Sequence, residues 1–343
     1  MNSKLMKEYL CLLYRSRMGF DLSFSAIYNY LNYTIKPIHY KIPQNYSYPM
    51  VSMYVTRRCN LSCSYCVVGK VPNNINPMEF DLTPAKYLQI LEHPLVKRSL
   101  LMLLCGGEPL LNSHILDLVA ITKKKGKIPT LLTNGILLRE KWTSLLKSGV
   151  ADIQLSLYDN TIELLKNDVK SMNKDMRINA SYVLLRTDFD NDIDKIENVI
   201  NFVSESGFKT LKLNFCLSNE NNGFVDEGLQ KEHKIKYDEF TTKILKKYRN
   251  IDIYFPNISE TNEKKCRAPW NSLLLDAVCN FGFCCKHQPS IHKKFNIFTQ
   301  DWNEVINSQL FCKWRENMLS DDKTIPEHCK NCYHINGSYS SNV

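Results

Sequence analysis

The chain has 343 residues, 44% hydrophobic and 11% aromatic, enough for one large core or for two domains of roughly 100 to 200 residues each. It contains no run of eighteen apolar residues, and its first twenty residues interleave Lys4, Lys7, Arg15 and Arg17 with apolar ones, which argues against a membrane span or secretory signal and for a cytoplasmic protein. The net charge of +9 is dispersed and not interleaved with aromatics, so nucleic acid is excluded as a partner, while an anionic small molecule, an acidic peptide or an anionic membrane surface fits the field.

In chain order, residues 1–48 carry Tyr and Leu between basic residues and read as a helical N-terminal extension of one or two amphipathic helices, ending at Pro43 and Pro49. Such a basic, Tyr-rich helix can lie on a membrane surface, close over a barrel mouth, or simply pack against the core. From residue 49 to 220, short apolar runs alternate with helical patterns. Six strands are predicted, at Met50–Thr56, Leu100–Leu104, Ile128–Thr133, Ile153–Tyr158, Ile178–Leu185 and Thr210–Phe215. Helices are predicted near Pro84–Glu92, Ser113–Lys124, Arg139–Ser148, Ile162–Met172 and Asp192–Ser206. Repeated βα units give an α/β fold, here a partial (β/α)6 TIM-like barrel whose chemistry belongs at the C-terminal ends of its strands. Ser218–Gly223 reads as a loop, and residues 221–343 as a linker helix to about Arg249 followed by a small cysteine-rich domain.

Thirteen cysteines without an export signal belong in a reducing compartment, where metal ligation is a better account than disulfides. Three fall between Cys59 and Cys66 and seven between Cys266 and Cys332. The first group, TRRCNLSCSYC, follows the first predicted strand directly. Cys59, Cys63 and Cys66 offer three thiolates to a four-iron cluster and leave one iron free for a small chelating ligand such as the amino and carboxylate groups of methionine. On spacing alone, a three-thiolate zinc site or a redox thiol cluster is the alternative.

With Tyr65 before its last cysteine, this CxxxCxxC motif resembles that of the radical S-adenosylmethionine (SAM) superfamily. Cys105-Gly106-Gly107-Glu108-Pro109, one strand later, is similar to that family's GGEP motif. The resemblance implies that Gly106, Gly107 and Glu108 meet the amino group of S-adenosylmethionine. Two glycines allow close backbone approach, and the Glu108 carboxylate complements an ammonium. The strand ends Thr133-Asn134-Gly135 and Gln154–Asp159 look like the family's polar residues for the methionine carboxylate and ribose, with Asn134 and Ser156 as candidates. For each, a turn or capping role is the plain alternative.

The C-terminal cysteines resemble the auxiliary-cluster extension of such enzymes, of the SPASM or shorter twitch type. Cys266, Cys284 (or Cys285 beside it), Cys329 and Cys332 would complete a second [4Fe–4S] cluster, with a four-thiolate zinc site as the alternative. Cys279 and Cys312 stay unassigned, Cys279 sitting where the family's hairpin often turns on glycine. Cys216, at the end of the sixth strand, could donate a hydrogen atom to a substrate radical. Cys105 carries the same ambiguity, and Cys11 reads as packing. The resemblance implies an oxidoreductase- or epimerase-type enzyme fed by a flavodoxin or ferredoxin, whose 5′-deoxyadenosyl radical takes hydrogen from a substrate C–H bond. An alcohol-bearing carbohydrate, cyclitol or envelope precursor is the first expectation for the substrate, and a ribosomally made peptide the second. A non-enzymatic iron–sulfur or zinc protein is the third reading.

Overall fold

The computed structural model describes residues 22–35, 41–69, 71, 73, 75–217, 227–229, 231–258, 266–284, 286–289, 295–320, 329, 332 and 339–340. The expected loop Ser218–Gly223, the helical pattern before residue 22, Cys11 and Cys285 lie outside these residues.

The six expected strands form as β1 (Met50–Thr56), β2 (Leu101–Gly106), β3 (Ile128–Thr133), β4 (Asp152–Ser156), β5 (Ile178–Leu184) and β6 (Thr210–Phe215), each parallel to the next. Four more strands extend this sheet. β7 (Asp252–Pro256) pairs parallel with β6, and β8 (Ser272–Asp276) pairs parallel with the other side of β1. β9 (Phe281–Gly282) turns back antiparallel on β8, and β10 (Tyr339–Ser340) is antiparallel to β7. The order β10-β7-β6-β5-β4-β3-β2-β1-β8-β9 never returns on itself, so the barrel is unclosed.

Strand alternation divides the side chains into two sets. Val51, Met53 and Val55 of β1, Ile153 and Leu155 of β4, and Leu211 and Leu213 of β6 pack outward in one large core with the helices. Ser52, Gln154, Ser156, Lys212 and Asn214 therefore face the barrel interior, where each is partly exposed.

The helices start and stop on local signals. Pro84–Glu92 opens on Thr83, whose hydroxyl accepts the Lys86 N–H, and has proline at its first position. Leu138–Ser148 ends at Gly149, in the left-handed region at φ 85°. The single helix expected over Ile162–Met172 is two, Asp159–Leu165 and Val169–Asp175. At the break, the Arg139 side chain donates to the Leu164 carbonyl at 2.6 Å and pairs with the Asp168 carboxylate.

The helix Phe24–Ile35 seals the floor of the barrel. Ala26 and Tyr30 pack against Leu100, Ile128 and Ala151 at the strands' N-terminal ends, and the Asn29 side-chain amide donates to the Ser47 and Arg98 carbonyls. It lies at the opposite end from the cysteine loop and packs against the barrel, the plainest of the three readings of this segment, and not as a lid; Phe24 and Tyr28 remain exposed on its outer face. Ile42, Tyr46 and Tyr48, which follow it, belong to the main core. Among the described residues no helix is long and apolar enough to cross a membrane.

Candidate functional site

Strand β1 runs straight into the cysteine loop, and its last residues fix how the loop leaves. The Thr56 hydroxyl donates to Asp81 Oδ1 at 2.5 Å and accepts the Arg58 N–H at 3.0 Å. The Arg58 guanidinium holds both Asp81 and the Leu111 carbonyl, the latter at 2.7 Å. Arg57 turns the other way and is buried. Between these anchors the chain turns through Cys59, Cys63 and Cys66, with the Leu61 N–H on Cys59 Sγ and the Cys66 N–H on the Cys63 carbonyl at 3.3 Å.

Cys59 is exposed and Cys63 and Cys66 half-buried, all at the C-terminal end of the parallel strands. The rim around Cys59 partly desolvates its thiol and raises its pKa, and the Glu108 carboxylate and the other two cysteines push the same way, while the Leu61 N–H opposes. Cys63 is raised by burial as well, against which the hydroxyls of Tyr158 and Tyr65 both donate to its sulfur. Three sulfurs thus share one rim with three donors, the two tyrosine hydroxyls and the Asn134 side-chain amide 3.9 Å from Cys59 Sγ. That donor set fits a cluster bound through anionic thiolates. Among the described residues no group of three or more His, Cys, Asp or Glu side chains is drawn together around a single point.

The GGEP turn packs beneath this loop. Gly106 has φ 124°, and a Cβ there would stand 2.4 Å from the Thr56 carbonyl oxygen; a Cβ on Gly107 would stand 2.1 Å from that of Arg58. The Gly107 and Glu108 N–H groups donate to these same two oxygens, at 2.8 and 2.7 Å. The close approach that requires glycine is therefore to the backbone at the root of the cysteine loop. Glu108 is fully buried, its carboxylate accepting the Leu110 N–H at 3.0 Å, the Thr133 hydroxyl at 2.8 Å and the Asn134 N–H at 2.8 Å. Burial raises its pKa and these three donors oppose the rise. The side chain expected to meet an ammonium thus ties the end of β2 to the end of β3.

Asn134, set by Glu108, reaches the loop directly, its side-chain amide donating to Asn60 Oδ1 at 2.7 Å. Ser156 is half-buried at the end of β4 on the interior face, its hydroxyl without a hydrogen-bond partner among the described residues. Cys216 is buried just beyond β6, close enough to raise the Tyr65 pKa electrostatically. Cys105 packs inward with Tyr54, Val68 and Leu274. Tyr158 lies within the Gln154–Asp159 strand end but carries no role predicted from sequence, and neither does Arg57. What marks Arg57 in the sequence is a charged pair set between a buried strand and a cysteine-rich loop.

Cys266, Cys284 and Cys329 all stand at the edge of the main core. Cys329 has its pKa pushed up to about 11 by burial, against which the nearby Trp314 indole pulls, while the Cys266 thiol is near enough to add to the rise. The Cys332 N–H donates to the Cys329 carbonyl at 3.2 Å, which closes the CxxC turn, and Cys284 and His287 exchange two backbone hydrogen bonds. Cys279 is the turn residue between β8 and β9 and, at φ 72°, the one non-glycine in the left-handed region among the described residues. Cys312 belongs to a helix, donating to the Asn307 carbonyl at 3.2 Å.

Residues 53–223 match the radical SAM superfamily, and the chain belongs to it. Members of that family use a [4Fe–4S] cluster and S-adenosylmethionine. The GTP 3′,8-cyclase of Chlorobaculum tepidum is 34% identical over 109 residues, 31% of this chain and 32% of that protein, so the match spans about a third of the relative's length. The antilisterial bacteriocin subtilosin biosynthesis protein AlbA of Bacillus subtilis is 19% identical over 300 residues, 81% of this chain and 66% of that protein. In fold the chain is similar to SuiB of Streptococcus suis bound to its precursor peptide SuiA, with a TM-score of 0.58 at 14% identity over 84% of this chain and 70% of that one.

Proposed function

We propose that this protein cleaves S-adenosylmethionine reductively and uses the resulting radical to take hydrogen from a C–H bond of a ribosomally made peptide. The carrying observation is the Cys59–Cys66 loop, set at the C-terminal mouth of an unclosed parallel barrel with donors from Asn134, Tyr65 and Tyr158 turned to its sulfurs. When bound, a [4Fe–4S] cluster supplies the electron that splits S-adenosylmethionine into methionine and a 5′-deoxyadenosyl radical.

The chain's own part is positional. Cys59, Cys63 and Cys66 hold three irons; Glu108 and the two glycines fix the loop's root against β2 and β3. Asn134 and Ser156 orient the sulfonium cofactor from β3 and β4, and the polar interior face receives the substrate. Cys266, Cys284, Cys329 and Cys332 hold a second four-iron cluster. Cys216, just beyond β6, is the candidate to give up a hydrogen atom to a substrate radical.

Peptide takes precedence over the alcohol first expected because, of the relatives matched over most of this chain, SuiB is described with a bound precursor peptide and the subtilosin protein with the biosynthesis of a bacteriocin. After anaerobic reconstitution the chain should hold about eight irons and, with dithionite and S-adenosylmethionine, release 5′-deoxyadenosine; replacing Cys59, Cys63 and Cys66 with Ala should remove about half the iron. Absence of 5′-deoxyadenosine at full iron content sinks the enzyme reading. Deuterium should enter 5′-deoxyadenosine from a deuterated peptide fraction and stop doing so after that fraction is protease-treated. Transfer from the protease-resistant low-mass fraction instead would establish the alcohol.

A further inference from the structure

Arg57 stands immediately before the cysteine loop, yet its side chain is 1% exposed. One guanidinium nitrogen donates to the Val68 carbonyl at 2.9 Å. That contact closes the loop on itself, since residues 57 and 68 bracket all three cysteines. The other terminal nitrogen donates to the Pro289 carbonyl at 2.8 Å and lies 3.5 Å from Asp276 Oδ2. Its guanidinium carbon lies over the Phe80 ring, 5.3 Å from the ring centre.

Asp276 is equally buried and is committed to the C-terminal hairpin. Its Oδ1 accepts the Val278 and Asn280 N–H groups at 3.1 and 2.9 Å, and its Oδ2 accepts the Asn280 amide at 3.2 Å, so it shapes the turn at Cys279. Pro289 lies on the segment that continues from Cys284. Next to it, Gln288 accepts the Tyr54 hydroxyl of β1. Tyr54, Val68 and Leu274 pack together with Cys66 against them, giving the same junction an apolar side. A guanidinium fork can serve two carbonyls and a carboxylate at fixed angles, which a lysine cannot.

We infer that Arg57 is a positioning residue that locks the Cys59–Cys66 loop and the β8–β9 hairpin into one mechanical unit, so that neither can open without the other. The inference takes from the proposed function only the assignment of the loop as the cluster-bearing one. The lock itself is made by protein groups alone.

Hydrogen exchange on the metal-free, full-length protein tests it. Arg57→Gln should speed exchange about tenfold or more in both 58–69 and 277–289, as expected when two segments share one local opening and lose a buried charged contact. Asp276→Asn should reproduce the pattern, and Phe24–Ile35 and β3 should be unchanged. If Arg57→Gln does not keep the wild-type circular dichroism, Arg57→Lys retains the charge without the fork and should open the same two segments. Faster exchange in only one segment, or in neither, overturns the lock. In the reconstituted protein, a chelator should strip iron from the Cys59–Cys66 site of the variant about tenfold faster than from wild type, in line with the effect of altering groups that orient metal ligands; equal rates overturn the positioning role. A wild-type protein that binds no iron would sink the proposed function and leave the exchange result standing.

Discussion

Replacing Glu108 with Gln distinguishes a ligand-binding carboxylate from a structural one. In the structure one carboxylate oxygen accepts two donors, Leu110 N–H and the Thr133 hydroxyl, and the other accepts Asn134 N–H. A glutamine amide has one oxygen and one NH2, so in either orientation at least one of these donors faces another donor in a site with no exposure. A buried donor left unpaired costs about 1–3 kcal/mol. Removal of a desolvated carboxylate returns part of that, leaving a net loss of about 1–2 kcal/mol for Glu108→Gln. Glu108→Ala orphans all three donors and opens a cavity, a loss of about 4 kcal/mol or more. Urea unfolding of the metal-free protein reads both values, because no cofactor is needed for these bonds to exist. A Glu108→Gln midpoint equal to wild type, together with weakened S-adenosylmethionine binding, would refute this reasoning and return the carboxylate to the ammonium.

Gly107→Ala should cost about 1–3 kcal/mol through overpacking, because the atom its Cβ meets at 2.1 Å is the Arg58 carbonyl and not a movable side chain; iron analysis after reconstitution should show loss from the Cys59–Cys66 site with the C-terminal site retained. Cys279→Gly exchanges relief of a left-handed φ of 72° for lost packing and added chain entropy, so stability should stay within about 1 kcal/mol of wild type and iron content unchanged; loss of iron would make Cys279 a ligand. Asp152, buried against the Asn179 amide at 2.9 Å, is pushed up from 3.8 to about 7 by burial. Its folded pKa lies above its unfolded one, so its contribution is complete below about pH 4 and lost as pH rises through about 7, about 4 kcal/mol in all. Unfolding free energy measured across that range should fall less with rising pH in Asp152→Asn than in wild type, and identical slopes would show that Asp152 ionises normally.

Much of the barrel could be read from the chain because its signals are local. Strands β1, β3 and β6 lie where apolar runs meet polar turns, and Thr83-Pro84 and Gly149 mark helix ends by their own conformational preferences. What escaped was long-range. The Leu273–Cys285 stretch reads as a hairpin, and β8 and β9 form one, but nothing within it announces that β8 lies parallel to β1. β7 is five residues long and takes its identity from the β6 edge it joins.

The site divides along the same line. Cysteines grouped on one loop show in their spacing, which is why Cys59, Cys63 and Cys66 stand out in the sequence as candidates. The groups that contact their loop come from elsewhere in the fold: Asn134 lies 75 residues from Cys59, and Pro289 lies 232 from Arg57. Gly106 and Gly107 show the limit best. A pair of glycines after a strand says that something must come close to the backbone, and a ligand was the natural guess. Only the register of β2 on β1, which sets Gly106 beside Thr56, shows that a carbonyl of the cysteine loop occupies that space. The motif's first task is thus to hold the cysteine loop, and the proposed contact with S-adenosylmethionine falls to backbone groups that Thr56 and Arg58 leave free.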